Sequence, residues 1–285
     1  MKTADIILLS GQSNAVGVGH VKYLAKHFPD EKVQQYLVGY PGVRIRYFSH
    51  DKKNTGFEPV TVNQSELTKD TFGPELGMAE YFSEHHPQKE IFIVKCAFGG
   101  MSLWRDFRSP SCGGDYDPMA FADQYEDMIN SVFAGKPVRA GWGWNELVRL
   151  LRESIAALEQ QGYTPRVRAL CWMQGESDAS EADTTAQYIG LYDAMLRDLA
   201  TAFPGYMDGC IYIDGGISAV WPYYRELNAA KQQYAESRAD CRYIDTIAAG
   251  LTTENEPEEA PDTYHYDADC VIRLGQLFAE QVPLD

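Results

Sequence analysis

The sequence contains no long apolar run and no recognisable leader. None of its 285 residues belongs to an uninterrupted apolar stretch of about 18, the length expected of a transmembrane helix. The opening Met-Lys-Thr-Ala-Asp runs directly into a strand-like segment, without the apolar stretch and cleavage site of a signal peptide. We therefore expect a cytoplasmic protein, or a secreted or periplasmic one if a leader has been removed, and no membrane role.

Basic side chains are scarce. Lys and Arg total 25 against 41 Asp and Glu, which gives a formal net charge of -16. A field of that sign repels nucleic-acid phosphates and anionic lipid head groups. We expect neither nucleic acid nor a membrane surface among the partners.

Disulfide and metal-binding patterns are absent as well. The six cysteines include no Cys-x-x-Cys pair, and the six histidines show no His-x-x-x-His spacing. Four cysteines lie in apolar, strand-like runs: Cys96, Cys171, Cys210 and Cys241. We expect buried, reduced thiols rather than disulfides, and no metal or other cofactor.

No repeat or long linker divides the chain, so we predict a single domain over residues 1–285 with an insertion around residues 98–146. Short apolar runs alternate with amphipathic stretches. The predicted strands are Asp5–Ser10, Val33–Val38, Glu90–Ala97, Arg166–Met173, Gly209–Asp214 and Cys241–Thr246. The predicted helices run from Pro74 toward His85 and over Trp144–Gln161, Asp178–Phe203, Tyr223–Ser237 and Asp267–Val282.

Several predicted strands, such as IFIVKCA at residues 91–97, are apolar throughout. That pattern is typical of a parallel sheet covered on both faces, and with alternating helices it predicts a three-layer α/β/α sandwich. Ligands of such folds bind beyond the carboxyl ends of the strands. The residues that follow each strand are therefore the candidates for function.

Polar and glycine-rich segments follow three predicted strands, and a fourth precedes the last helix. They read Gly11-Gln12-Ser13-Asn14, Phe98-Gly99-Gly100-Met101-Ser102, Gln174-Gly175-Glu176-Ser177-Asp178 and Asp262-Thr263-Tyr264-His265. In the predicted fold, all four meet at one edge of the sheet.

Together these segments supply the parts of a nucleophilic serine site. A serine becomes a nucleophile when a base takes its proton, and the base needs a group that orients it. Asp262 and His265 can supply both, with the carboxylate on Nδ1–H and Nε2 facing Ser13. The expected donors to an oxyanion are the backbone N–H groups of Ser13 and Gly100 and the side-chain amide of Gln174.

Each segment alone has an ordinary structural explanation. Gly-Gln-Ser-Asn is typical of a turn into a helix, Gly-Gly of a turn, and Asp-x-x-His of a cap on the final helix. Gln-Gly-Glu before Ser-Asp suits a capping arrangement for the helix at Asp178. The occurrence of all four in one chain favours the catalytic interpretation.

With these motifs the chain resembles the SGNH hydrolase superfamily, in its branch of sialate O-acetylesterase-like and carbohydrate esterase family 6 proteins. The shared motifs are Gly-Gln-Ser-Asn at 11–14, Phe-Gly-Pro-Glu-Leu at 72–76, Gly-Gly at 99–100, Trp-x-Gln-Gly-Glu-x-Asp at 172–178 and Asp-x-x-His at 262–265. The resemblance implies a flavodoxin-like α/β/α fold. It also implies a metal-free serine esterase that removes acetyl groups from sugars, either acetylated xylan or O-acetyl sialic acid.

The resemblance also implies roles for single residues. Ser13 takes the position of the nucleophile, His265 that of the base and Asp262 that of its orienting group. Gly100 and Gln174 take oxyanion positions, although the wider superfamily has asparagine where Gln174 stands. Two positions depart from the branch and could alter the acyl pocket: Ala15, where methionine is common, and Met101, where a hydroxyl residue is usual.

Other residues in the motifs are expected to support the site. Gln12, Asn14 and Gly99 flank the proposed nucleophile and oxyanion positions. Glu176 has two interpretations: a second acid near His265, or a structural carboxylate that holds residues 11–14 through backbone N–H bonds.

Aromatic residues beyond Gly100 are candidates for sugar binding. The insertion contains Trp104, Arg105, Phe107, Arg108, Tyr116, Tyr125, Trp142 and Trp144. We expect Trp104 and Arg105 to contact the substrate and Tyr125, Trp142 and Trp144 to serve ordinary packing. Residues 215–224 could form the opposite wall.

The sequence therefore predicts a carbohydrate O-acetylesterase that works through an acyl-enzyme, with an acetylated carbohydrate as its partner. Two alternatives stay open: an acyltransferase with the same triad, and a carbohydrate-binding relative without catalysis. The intact Ser13, Asp262 and His265 disfavour the second alternative, because a binding module does not need all three.

Overall fold

Six parallel strands form the central sheet of the computed structural model, which describes residues 2–66, 70–113 and 140–284. In chain order the strands are β1 (Lys2–Gly11), β2 (Gly19–His20), β3 (Tyr40–Ser49), β4 (Lys52–Lys53), β5 (Glu58–Val60), β6 (Thr71–Phe72), β7 (Ile91–Ala97), β8 (Tyr163–Met173), β9 (Ile211–Gly215) and β10 (Cys241–Ile244). The short strands β4 and β5 pair antiparallel with β3, and β2 pairs with β6 in a separate ribbon.

The order of the parallel strands places β1 in the middle of the sheet. That order is β10-β9-β8-β1-β7-β3. Without β3, the remaining five have the flavodoxin-like order, in which the second strand lies on one side of the first and the later strands lie on the other. β3 extends the sheet beyond β7. Because the chain turns in opposite directions on the two sides of β1, the carboxyl end of β1 is the expected ligand site.

Helices cover both faces of this sheet. They are α1 (Ser13–Val16), α2 (Leu24–His27), α3 (Asp30–Val38), α4 (Pro74–His85), α5 (Trp142–Gln160), α6 (Ala182–Ala202), α7 (Tyr224–Glu236) and α8 (Ala268–Glu280). α4 and α8 pack against each other, while α5 contacts β7 and β8, and α6 contacts α7. Every residue of β7 is buried, as is β1 from Ala4 onward. The predicted three-layer α/β fold is confirmed.

One predicted strand is wrong. Val33–Val38 lies in α3, which follows Pro29 and carries Asp30 and Glu31 in its first turn, a typical helix start. The strand in this region is β3, which follows α3. It begins with a proline and a glycine, and arginines alternate with its apolar residues, so it contains no continuous apolar run. The other predicted strands and helices are present with shifted ends.

The cysteines are all free, and Cys112 is the one that is partly exposed while the other five are buried. Within the described residues, the helices are too short or too polar to cross a bilayer.

Two glycines allow α4 and α8 to cross at backbone contact. A Cβ at Gly77 would lie 1.9 Å from the carbonyl oxygen of Ile272, and a Cβ at Gly275 would lie 1.9 Å from that of Pro74. No side chain fits at either position. The crossing holds α8 against α4, and α8 begins three residues after His265.

We predict that Gly77→Ala lowers the free energy of unfolding, because its methyl group would overlap main-chain atoms of α8. Overpacking of this kind costs about 1–3 kcal/mol. Gly190→Ala in α6 is the matched control, since the added Cβ meets no atom within 4 Å, and it should stabilise by roughly 0.4–1 kcal/mol. Denaturant unfolding of both variants measures this, and equal effects would contradict the account of the crossing.

Candidate active site

A glycine turn places Ser13 at the carboxyl end of the central strand. Gly11 has a φ of 141°, and a Cβ there would lie 1.9 Å from the carbonyl oxygen of Met173. The Gln12 N–H donates to the same oxygen at 2.9 Å. The chain then enters α1 with Ser13 as its first residue, and Ser13 is partly exposed while Gln12 and Asn14 are buried.

Ser13 lines a cavity of about 540 Å³ together with Asp262 and His265. The turn at Gly99 and Gly100 forms another part of the wall. Asp262 and His265 therefore line the same cavity as Ser13, although they lie more than 240 positions away in the sequence. The structure brings together the three residues predicted as nucleophile, base and orienting group.

The His265 ring is held by a carboxylate from its own turn. Nδ1 of His265 lies 2.6 Å from Oδ2 of Asp262, and the Tyr264 N–H donates to Oδ1 at 3.0 Å. The side chains of His265 and Asp262 are 26% and 40% exposed. With Nδ1 on the carboxylate, Nε2 is the ring nitrogen left to exchange a proton with a hydroxyl, as the predicted role of His265 as a base requires.

The buried amide of Asn14 connects the Ser13 turn to the His265 segment. Its Nδ2 donates to Oε1 of Glu176 at 2.8 Å and to the carbonyl oxygen of Tyr264 at 3.3 Å. Its Oδ1 accepts the N–H of Tyr266 at 3.2 Å. Tyr264 and Tyr266 flank His265 in the sequence, and Asn14 follows Ser13. Asn14 therefore binds the main chain on both sides of His265.

Glu176 is fully buried behind this contact. Burial raises the pKa of Glu176, and the hydrogen bond from Asn14 opposes that shift. This contact favours the structural interpretation of Glu176. The carboxylate holds residues 11–14 through the Asn14 side chain, whereas the prediction was a contact with backbone N–H groups. The carboxylate found on Nδ1 of His265 is that of Asp262.

Gln174 is fully buried and does not belong to the described cavity wall. Its Nε2 faces three acceptors: Oδ2 of Asp178 at 2.6 Å, Oε1 of Gln12 at 3.2 Å and the carbonyl oxygen of Met101 at 3.2 Å. These contacts join the segments after β1, β7 and β8. Gln174 therefore supports the surroundings of Ser13 and Gly100, and its role as an oxyanion donor stays a prediction.

The predicted sugar contacts lie outside the cavity wall. The N–H groups of Leu103 and Trp104 donate to Asp178 at 2.8 and 3.0 Å, and burial raises the pKa of Asp178 to about 6. Arg105 binds its neighbour Asp106, with Nε 2.8 Å from Oδ1. In the part of the chain that the structure describes, neither Trp104 nor Arg105 lines the space beside Ser13.

The other aromatic residues of the insertion divide into two groups. Phe107, Trp142 and Trp144 are buried in the core. Burial is what we expected of Trp142 and Trp144 as packing residues. Tyr116 and Tyr125 lie outside the described residues. The two departures from the family pattern, Ala15 and Met101, are also buried, and they are not part of the described cavity wall.

Sequence reasoning did not single out four residues of the described wall, Val16, Val18, His50 and Glu66, and it gave no role to Tyr264. His50 directly follows β3, so the rule of strand ends would have found it had β3 been recognised. Glu66 lies in an irregular segment with no pattern to mark it. Trp221, from the wall expected at residues 215–224, lines the cavity and packs on Tyr264 with ring centroids 5.2 Å apart.

A buried ion pair lies beneath α1. Lys95 Nζ donates to the carbonyl oxygen of Val16 at 2.6 Å and to Oε2 of Glu75 at 2.8 Å. Burial lowers the pKa of Lys95, and the charge of Glu75 opposes that shift. Glu75 belongs to the Phe-Gly-Pro-Glu-Leu motif, so this motif supports the last residue of the helix that begins with Ser13.

Comparisons with known proteins give the family and the fold of this chain. A family model described as carbohydrate esterase, sialic acid-specific acetylesterase, matches residues 3–283 and confirms the predicted family. The solved structure of NanS superposes with a TM-score of 0.67 at 17% identity, over 98% of this chain and 96% of that one. A protein from Arabidopsis thaliana superposes with a TM-score of 0.63 at 16% identity, over 98% and 97%. At these identities the superpositions show the fold alone.

The comparison with curated proteins gives no match. Among the residues described, no group of three or more His, Cys, Asp or Glu side chains is arranged to hold a metal ion.

We predict that Asn14→Ala lowers kcat by about 10²-fold, because small displacements of a catalytic group have effects of that size. KM should change little, since Asn14 is not part of the cavity wall. Asn54→Ala is the matched control: the Asn54 side chain also binds two main-chain groups, the Tyr47 N–H at 2.9 Å and the Ile45 carbonyl at 3.2 Å, and Asn54 is not part of the described cavity wall.

Steady-state kinetics and melting temperatures of both variants check this. Asn54→Ala should lose stability with normal turnover. A folded Asn14→Ala protein with wild-type kcat would show that the amide does not position the His265 segment.

Proposed function

We propose that Ser13 is the nucleophile of a carbohydrate O-acetylesterase, because the chain belongs to the family of carbohydrate esterases described as sialic acid-specific acetylesterases. Membership of this family makes the chain a carboxylic ester hydrolase. The serine mechanism is supported by the cavity that Ser13 and His265 both line. At this cavity, Nδ1 of His265 lies 2.6 Å from the Asp262 carboxylate.

The first half of the reaction forms an acyl-enzyme. Ser13 Oγ attacks the acetyl carbonyl carbon while its proton moves to Nε2 of His265, and Asp262 stabilises the imidazolium that results. The intermediate then collapses, the bond to the sugar oxygen breaks, and His265 returns the proton to that oxygen. The acetyl group remains on Ser13.

The second half repeats these steps with water. His265 takes a proton from the water as it attacks the acetyl carbon, and acetate leaves as the proton returns to Ser13 Oγ. In both halves the negative oxygen binds the backbone N–H groups of Ser13 and Gly100. Gly100 is suited to this because it lies in the cavity wall beside Ser13.

We predict that Ser13→Ala and His265→Ala each abolish acetate release from an acetylated sugar, and that the double variant is little worse than either, because triad members act as a unit. Ser177→Ala is the matched control, since Ser177 also lines the cavity but has no role in the proposed mechanism. It should keep most of the activity. Retention of more than a few per cent of activity by folded Ser13→Ala would overturn the serine mechanism.

The same assay separates hydrolysis from acyl transfer. Water as the acceptor predicts stoichiometric release of acetate when no alcohol is added. Acetate that appears only after an acceptor alcohol is supplied, together with an acetylated acceptor, would identify an acyltransferase instead.

Gln174→Ala distinguishes the two roles open to that residue. A direct oxyanion donor predicts a loss of about 10²–10³ in kcat with little change in KM, because the hydrogen bond strengthens as charge develops. A purely structural amide predicts a lower melting temperature with near-normal turnover. Measuring kcat, KM and melting temperature on this variant decides between them, and an unchanged kcat would remove Gln174 from the list of donors.

A further inference from the structure

Two aromatic rings in contact with each other line the Ser13 cavity. Trp221, from the segment after β9, and Tyr264, which directly precedes His265, both belong to the described wall. Their ring centroids lie 5.2 Å apart at an interplanar angle of 48°. Tyr264 is 51% exposed and Trp221 is partly exposed. The pair therefore offers accessible apolar surface to a ligand in the cavity.

Hydrogen bonds on both sides of Trp221 hold the segment that carries it. The Asn228 side chain binds Ile217 twice: it accepts the Ile217 N–H at 2.9 Å and donates to the Ile217 carbonyl oxygen at 2.9 Å. The Tyr223 N–H donates to the carbonyl oxygen of Ala179 at 3.0 Å. The backbone around Trp221 is therefore ordered without a ligand, and a preordered surface loses less conformational entropy on binding.

Tyr264 is held by the bonds that also hold the catalytic segment. Its N–H donates to Oδ1 of Asp262 at 3.0 Å, and its carbonyl oxygen accepts a hydrogen bond from Nδ2 of Asn14 at 3.3 Å. The main chain of Tyr264 therefore has a defined place next to His265, and its side chain lines the cavity from that place.

The proposed reaction indicates which part of the ester faces these rings. The oxyanion binds the N–H groups of Ser13 and Gly100, so the acetyl carbonyl points toward the Gly100 turn. His265 returns a proton to the alcohol oxygen that leaves, so the alcohol lies on the histidine side of the cavity. Tyr264 precedes His265 in the chain, and Trp221 contacts Tyr264. The two rings therefore flank the leaving alcohol rather than the acetyl group.

The cavity is much larger than an acetyl group requires. Its volume of about 540 Å³ lies within the range of roughly 300–1,000 Å³ that is typical of small-molecule sites. Most of this space is therefore available to the alcohol part of the ester. A sugar ring presents C–H groups on its faces, and aromatic rings pack against apolar surface of this kind.

We propose that Trp221 and Tyr264 form the subsite for the sugar ring that leaves as the alcohol. The inference rests on the proposed esterase function and identifies the residues that recognise the saccharide part of its substrate. The rings act in acylation, the half of the reaction in which the sugar is present. Their effect therefore falls on kcat/KM for sugar esters.

The test compares a sugar ester with ethyl acetate, whose alcohol has no ring. The sugar ester is O-acetylated xylobiose or O-acetyl-N-acetylneuraminic acid, whichever the wild type hydrolyses more efficiently. Acetate release gives kcat/KM for both esters with the wild type, Trp221→Ala, Tyr264→Ala and the conservative Tyr264→Phe. The ratio of the two values on one sample is independent of the fraction of folded enzyme.

Tyr81→Ala is the matched control for the loss of a ring. Tyr81 is also partly exposed and in contact with another ring, since it stacks on His85 with centroids 4.1 Å apart, and it lies outside the described cavity wall. This variant should leave the ratio of sugar ester to ethyl acetate unchanged.

We expect Trp221→Ala and Tyr264→Ala each to lower that ratio by about threefold to tenfold, because the contact between the ring and the sugar is lost. Tyr264→Phe keeps the ring face and should keep the wild-type ratio. An unchanged ratio in either alanine variant, or a loss in Tyr264→Phe as large as in Tyr264→Ala, would overturn the subsite, as would a wild type that hydrolyses ethyl acetate but neither sugar ester. Absence of acetate from every ester would instead reject the esterase function on which the subsite rests.

Discussion

The hydrogen bonds of the buried Asn14 amide hold together the segments on which the site depends. Asn14 contacts Glu176 at 2.8 Å and the main chain of Tyr264 and Tyr266 at 3.3 and 3.2 Å. Ser13 is its neighbour, and His265 lies between the two tyrosines. Within a buried, low-dielectric environment such bonds are strong and directional. The Asn14 side chain therefore links the segment that carries Ser13 to the segment that carries His265.

A second layer of buried polar groups supports this arrangement. The Lys95–Glu75 pair lies under α1, and Gln174 and Asp178 lie under the residues that follow Gly100. Burying charged groups of this kind rarely adds net stability. Their contacts instead fix backbone segments that would otherwise be free to move. This explains why two sequence motifs, Phe-Gly-Pro-Glu-Leu and Trp-x-Gln-Gly-Glu-x-Asp, contribute residues that are mostly hidden from the cavity.

Candidate functional residues could be identified from the sequence where polar residues with chemical function follow a predicted strand or form a short motif. Ser13 could be singled out because it follows the first predicted strand, and parallel strands bring their carboxyl ends to one edge. The Asp262–His265 turn precedes the last helix instead, and it was singled out because an aspartate and a histidine three residues apart can supply a base and its orienting group. His50 was missed with β3, whose proline, glycine and arginines obscure its alternation. Trp104 and Arg105 were expected at the substrate because of sequence adjacency to Gly100; the described cavity wall does not include them, and their contact with substrate stays a prediction. The Trp104 N–H donates to Asp178, 74 positions away in the chain, and such a contact leaves no local pattern.

The central claim is that Ser13 is a nucleophile activated by the His265–Asp262 pair. Incubation with a fluorophosphonate, followed by peptide mass spectrometry, tests it directly because this reagent bonds covalently to activated serines. The account predicts one label per chain on the peptide that contains Ser13, in step with loss of acetylesterase activity, and no label on that peptide in His265→Ala. Full activity after exposure to the reagent, or inactivation with the label on a different residue, would contradict it.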